Sequence, residues 1–206
     1  MVHYRYPRIV EKHTIAVIAD EEQERRYLLR LGLKKRGSEK LLIIMDSMGA
    51  ADEIYCDRKL HRILRYIKDC RELMEVGELY ITSLFPVCSS KIKYVVDKLY
   101  EKGPDFILGI DQTLIYKEKN IDNYQLIKEL ITEADKIILA WGSCISSLKK
   151  YHMKSSEEIL SFLKYDCGKV DNVYTVGEKL LRGFPKSPLC WSFTDNLVFF
   201  FDEEES

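Results

Sequence analysis

Asp46 stands where a continuous apolar run, Leu41–Met45, gives way to a loop that also holds Ser47, Gly49, Asp52 and Asp57. Carboxylates grouped at the end of a core strand suit a hydrolytic site, where one can orient water or stabilise a cationic transition state. Asp46 and Asp52 are the catalytic candidates. Asp57 has a competing role as the N-terminal cap of the helix that follows. A second apolar run, Ile137–Trp141, ends at Gly142, with Ser143, Ser146 and Ser147 next. That segment could wall a pocket or hold a phosphate at a helix start; its plain structural role is a core Trp and a turn glycine. The loop Gly183-Phe184-Pro185-Lys186-Ser187-Pro188-Leu189 is stiffened by two prolines. It would present Leu189 outward as a wedge residue, unless it is an ordinary Pro-rich surface turn. Lys179, Arg182 and Lys186 flank it with positive charge.

These residues need a frame. Thr14–Ala19 and Arg25–Leu31 are short β-like runs, and Leu41–Met45 has the pattern of a strand covered on both faces. From Asp57 the period turns helical, with Leu60, Ile63, Leu64, Ile67 and Met74 on one side and Gly77 as the stop. Leu79–Phe85 reads as the next strand. Ser90 is placed to cap a helix carrying Ile92, Val95, Val96 and Leu99, closed by Gly103–Pro104. Phe106–Ile110 fits a strand or a loop. Asp122 and Gln125 have capping-box form before Leu126, Ile127, Leu130, Ile131 and Ala134. Ile137–Trp141 is a third strand, Ser155 and Glu158 form another capping box, and Val170–Val176 is a fourth strand. Alternating strands and helices predict a single α/β domain, a three-layer sandwich with a central, mainly parallel sheet. An N-terminal extension over about residues 1–24 and an acidic tail over 202–206 flank it. In such sheets ligands sit beyond the carboxyl ends of the strands, where Asp46 and Trp141–Gly142 fall.

Composition narrows the function. The chain has 206 residues, 46% hydrophobic and 32% charged, values of an ordinary globular domain with one core. No run approaches the roughly 18 apolar residues of a membrane span, and the N-terminus lacks the apolar stretch of a signal peptide. A cytoplasmic protein with no membrane partner is the expectation. The six cysteines include no C-x-x-C pair and the four histidines do not cluster, so no metal site is expected. A net charge of −1 argues against a protein that coats nucleic acid, yet leaves room for local basic surfaces.

Met45-Asp46-Ser47-Met48-Gly49-Ala50-Ala51-Asp52, Asp57-Arg58-Lys59-Leu60-His61-Arg62, Ser83-Leu84-Phe85, Trp141-Gly142 and the 183–190 loop occur in one order and spacing. Taken together they resemble domain-of-unknown-function family sixteen forty-three, over about Arg26 to Trp191. Through that family the chain is also similar to the uracil-DNA glycosylase superfamily. That second resemblance implies a uracil-DNA-glycosylase-like fold and hydrolysis of the N-glycosidic bond of a base flipped out of DNA, without a cofactor. Asp46 would be the water-orienting or cation-stabilising acid, and Phe85 would lie near the base. Ser187-Pro188-Leu189 would enter the DNA, with Lys179, Arg182 and Lys186 on phosphates.

Two departures bear on the substrate. Ser83 stands where the superfamily has its base-reading Asn, and Ser187 stands where its loop has His. Both are large-to-small changes, so the expected target is a bulkier, modified pyrimidine in DNA, with antiviral defence or repair as the setting. Ser47, Ser83, Phe85, Trp141 and Ser187 are the substrate-contact candidates. The alternatives are a hydrolase of free nucleosides or nucleotides and a catalytically inactive nucleic-acid-binding module.

Overall fold

The computed structural model describes residues 4–34, 36–49, 51, 53–89 and 91–201. Seven strands form the main sheet. They are β1 (Val10–Ala19), β2 (Arg26–Leu33), β3 (Glu39–Ser47), β4 (Val76–Phe85), β5 (Lys136–Ala140), β6 (Val173–Val176) and β7 (Leu197–Phe199). Their spatial order is β7-β6-β5-β3-β4-β2-β1. The pairings among β6, β5, β3 and β4 are parallel. Those of β7 with β6, β4 with β2, and β2 with β1 are antiparallel. The sheet is therefore mixed rather than mainly parallel. Parallel pairing is confined to the four central strands, which helices connect.

Five α-helices accompany the sheet: α1 (Arg58–Asp69), α2 (Ile92–Lys102), α3 (Pro104–Leu108), α4 (Asn123–Glu133) and α5 (Lys149–Ser161). Strand β3 shows why there are three layers. Leu41, Ile43 and Met45 pack in one core with Leu60, Ile63, Leu64 and Ile67 of α1. Leu42 and Ile44, pointing the other way, pack with Leu126, Ile127 and Leu130 of α4 and Ile159 of α5. The alternation of side chains along a strand thus gives both faces an apolar cover. Among the described residues no helix is long and apolar enough to cross a membrane.

Several elements differ from expectation. Helix α1 stops at Asp69; Met74 is exposed, and Gly77 lies inside β4 instead of ending the helix. Gly77 is needed there because a side chain would collide with the Gly37 carbonyl. Phe106–Ile110 is neither strand nor loop at its start, since Pro104 at the first turn and left-handed Gly109 frame the short α3. Ser155 does not cap a helix: α5 begins at Lys149, led in by a 3-10 turn at Ser146–Leu148. Residues 170–172 are a 3-10 turn, and the strand starts at Val173. The expected N-terminal extension supplies the edge strand β1. The Ser90 cap, Asp52 and the acidic tail at 202–206 lie outside the described residues.

Candidate functional site

The loops after β5 and β6 enclose a cleft of about 570 Å³ at the carboxyl ends of the parallel strands. Ser143, Cys144 and Ser146 form one side, Lys149, His152 and Met153 of α5 a second, and Leu180, Leu181, Arg182 and Phe184 a third. The volume falls within the roughly 300–1,000 Å³ usual for small-ligand sites.

Asp46 sits beside this cleft, not among the residues that line it. Its carboxylate is partly exposed and ion-paired: Lys59 Nζ lies 2.7 Å from Oδ1. The same ammonium donates to the Ser47 carbonyl at 3.1 Å and to Ser47 Oγ at 3.3 Å. Three acceptors on one cation fix the pair in place. Asp46 Oδ2 accepts no hydrogen bond among the described residues, so one oxygen stays available. The carboxylate's charge reaches the cleft wall. Burial pushes the Cys144 thiol up to about 11, and Asp46 adds to that push. Burial lowers the His152 pKa, while Asp46 and the Trp141 carbonyl oppose it.

Lys59 is aimed at the strand end by the start of α1. Asp57 caps that helix, accepting from the Leu60 amide at 2.8 Å, and Lys59 lies in the first turn. The cap also explains Gly49, because a Cβ there would overlap the Asp57 carboxylate. The Gly49 carbonyl accepts in turn from Arg26 Nη1 at 3.2 Å and from the Cys88 thiol at 3.4 Å. Asp57 is therefore structural, the competing role it had from sequence.

The remaining candidates divide. Ser83 is fully buried with its hydroxyl donating to the Phe85 carbonyl at 2.8 Å, and its own carbonyl accepts from Asn123 Nδ2. It is not part of the cleft lining. Trp141 is a core residue. Phe85 is buried too, yet its ring lies 6.4 Å from that of His152, directly behind the cleft. Ser187 rests against Gly142, whose positive φ of 67° disfavours any side chain there and whose Cβ would lie a tight 3.1 Å from the Ser187 Cβ. Pro188 is buried and Leu189 is 42% exposed on a 3-10 turn.

The basic residues divide as well. Lys179 donates to the Phe200 carbonyl at 2.8 Å, and Lys186 pairs with Asp195 at 3.1 Å. Both are engaged within the chain. Arg182, exposed on the cleft rim, makes no ion pair among the described residues. Next to it Leu181 is 93% exposed, the most exposed large hydrophobic residue described. The Leu180–Phe184 hairpin holds them out, closed by the Leu180 amide on the Phe184 carbonyl at 2.7 Å.

Sequence reasoning missed Lys59, Cys144, Leu181 and, above all, His152. Lys59 carried a readable signal, two residues after a capping Asp that follows the strand end. His152 carried none, since only the packing of α5 against the strand ends brings it to the site. Among the described residues no group of three or more His, Cys, Asp or Glu side chains is placed to hold a metal ion.

The fold and the cleft define a mixed α/β protein whose polar residues gather beyond the carboxyl ends of its central parallel strands. The chain belongs to the family described as Protein of unknown function (DUF1643), whose profile matches residues 26–180. No curated protein and no solved structure matches it.

Proposed function

We propose that the protein is a DNA glycosylase that hydrolyses the N-glycosidic bond of an everted, modified pyrimidine base. One observation carries the reading: a fixed carboxylate, Asp46, with a free oxygen at the edge of an open cleft of ligand size. In the reaction the C1′–N bond breaks and its electron pair leaves with the base. Water adds to C1′ and passes a proton to Asp46, while the departing base takes its proton from solvent. The negative charge of Asp46 meanwhile stabilises the oxocarbenium-like sugar, as carboxylates do in glycoside chemistry.

Reaching that bond in a duplex requires eversion, which costs a few kcal/mol of unstacking. Leu181, at the cleft rim, is better presented than Leu189 to fill the gap left in the stack. Arg182 and Lys149 beside it supply charge for phosphates. The uracil-DNA-glycosylase-like fold and the cytoplasmic setting belong to this proposal.

A second reading, hydrolysis of free nucleosides or nucleotides, draws support from Lys179 and Lys186. Both are tied up internally, which thins the surface available to a DNA backbone. One panel separates the two. Duplexes carrying uracil, mismatched thymine, hydroxymethylcytosine or glucosylated hydroxymethylcytosine, and the matching free nucleosides, are incubated with wild type and Asp46→Asn. The expected result is alkali-labile sites in a modified-cytosine duplex and a loss of about 100-fold or more in Asp46→Asn, the scale of general acid–base catalysis. Equal backgrounds for both proteins on every substrate would reject both readings. Turnover of nucleosides alone would select the second.

A further inference from the structure

His152 is 1% exposed, and among the described residues neither Nδ1 nor Nε2 is in full hydrogen-bond geometry, although the Trp141 carbonyl lies near enough to act on the ring. Buried polar atoms without partners are rare in native proteins, and each one asks for a reason. Arg26 and Asn123 also leave an atom unpaired, but each bonds through another: Arg26 to the Gly49 carbonyl, Asn123 to the Ser83 and Leu108 carbonyls; the Thr175 hydroxyl is unpaired too, but it does not line the cleft. Neither nitrogen of the His152 ring has such a bond. It lies between two aromatic rings, Phe85 behind at 6.4 Å and Phe184 edge-on at 5.7 Å. Both His152 and Phe184 line the cleft.

We infer that His152 is the ligand-pairing residue of this cleft, bonding the polar edge of an uncharged planar heterocycle once Phe184 moves aside. A neutral imidazole has one donor and one acceptor that point away from each other, so a single nitrogen bonds one polar atom of such an edge: the N–H a carbonyl or ring nitrogen, the bare nitrogen an N–H. Burial holds the imidazole towards its neutral form. An inorganic anion would meet a ring without full charge and with Asp46 nearby, so phosphate is the poorer ligand. Phe184 belongs to the hairpin that carries exposed Leu181 and Arg182, so a small movement there uncovers the ring nitrogens. The choice of a nucleobase edge rests on the glycosylase reading; the pairing role rests on the unpartnered ring itself.

The test uses the full chain with ¹⁵N-labelled histidine, the His152 signals being assigned by their loss in His152→Gln. Wild type is titrated separately with 2′-deoxyuridine, 5-hydroxymethyl-2′-deoxycytidine and inorganic phosphate. The inference expects a pyrimidine nucleoside to shift both His152 nitrogens while phosphate leaves them unmoved. His61, on α1, serves as the internal control. In parallel, His152→Leu should raise Tm by roughly 2–4 °C, as expected when a stability gain of about 1 kcal/mol follows loss of an unpaired polar group, while abolishing nucleoside binding. His152→Gln, which keeps a donor and an acceptor, should retain part of it. The inference falls if neither nucleoside shifts His152 at saturation, if phosphate shifts it as strongly, or if His152→Leu binds like wild type. These outcomes are independent of catalysis. Nucleoside shifts without base release from any duplex would sink the glycosylase reading and leave the pairing role standing; base release undiminished in His152→Leu would do the reverse.

Discussion

Two clefts of the molecule hold their polar groups in opposite states. The cleft between the β1–β2 turn and residues 112–115 is the larger, about 630 Å³, and is lined by Asp20, Arg25, Tyr27 and Gln112. There the Arg25 and Gln112 side chains are both engaged. Arg25 Nε bonds Asp20 at 3.0 Å, its Nη1 meets Asp111 and the Phe106 carbonyl, and its guanidinium lies 4.2 Å from the Phe106 ring centre. Gln112 donates to the Tyr27 hydroxyl at 2.8 Å. In the smaller cleft, among the described residues, neither His152 nitrogen makes a hydrogen bond and Arg182 makes no ion pair. Size does not mark the site. Unmet bonding capacity does, because groups already satisfied gain little from a ligand, whereas unpaired buried ones gain a bond they lack.

The strongest way to break this contrast is to remove the satisfied cation. Arg25→Met leaves Asp20 buried without its partner and should cost roughly 3–5 kcal/mol in denaturant unfolding. A loss near zero would mean the larger cleft is not held by its ion pairs and is as open to function as the smaller. Arg182→Met is the matching change on the other side. It should alter stability by no more than about 0.5 kcal/mol, yet weaken duplex binding and lower the slope of log K against log salt by about 1. A large stability loss with an unchanged salt slope would assign Arg182 a structural role.

The smallest effect concerns the acid side of the satisfied region. Lys102 and Lys98 hold Glu24 down from an ordinary 4.5 to about 2. A depressed carboxylate contributes stability that is fully present above 4.5 and is lost as pH falls towards 2. Wild type should therefore melt slightly above Glu24→Gln at pH 7, and the gap should close between pH 4.5 and 2. A gap that widens in that window would overturn the assignment.

What could be read from the residues beforehand was mostly local. The Asp57 cap and the Asp122–Gln125 capping box need only four consecutive residues, and both are present. The β3 run was legible because both faces are covered, leaving no polar interruption. Harder were segments whose state depends on distant contacts. Ser155 resembles a cap, but the preceding turn from Ser146 has already started the helix. Strand β7 gave no pattern, since its short run sits at an edge with Val198 and Phe199 exposed. At the site, Asp46 was found from its place at a strand end. Its partner Lys59 sits in the first turn of a neighbouring element. Ser83 shows the limit of reading a site from type alone: its hydroxyl bonds the Phe85 carbonyl two residues on, and the side chain is fully buried.

Residues 26–180, the stretch shared with the family, contain the central strands, Asp46, Lys59 and His152. Leu181, Arg182 and Phe184 come just after it, and they form one side of the opening. A protein built this way separates its reactive groups from its doorway. Alterations confined to four residues of one hairpin can change what is admitted without disturbing a single strand pairing.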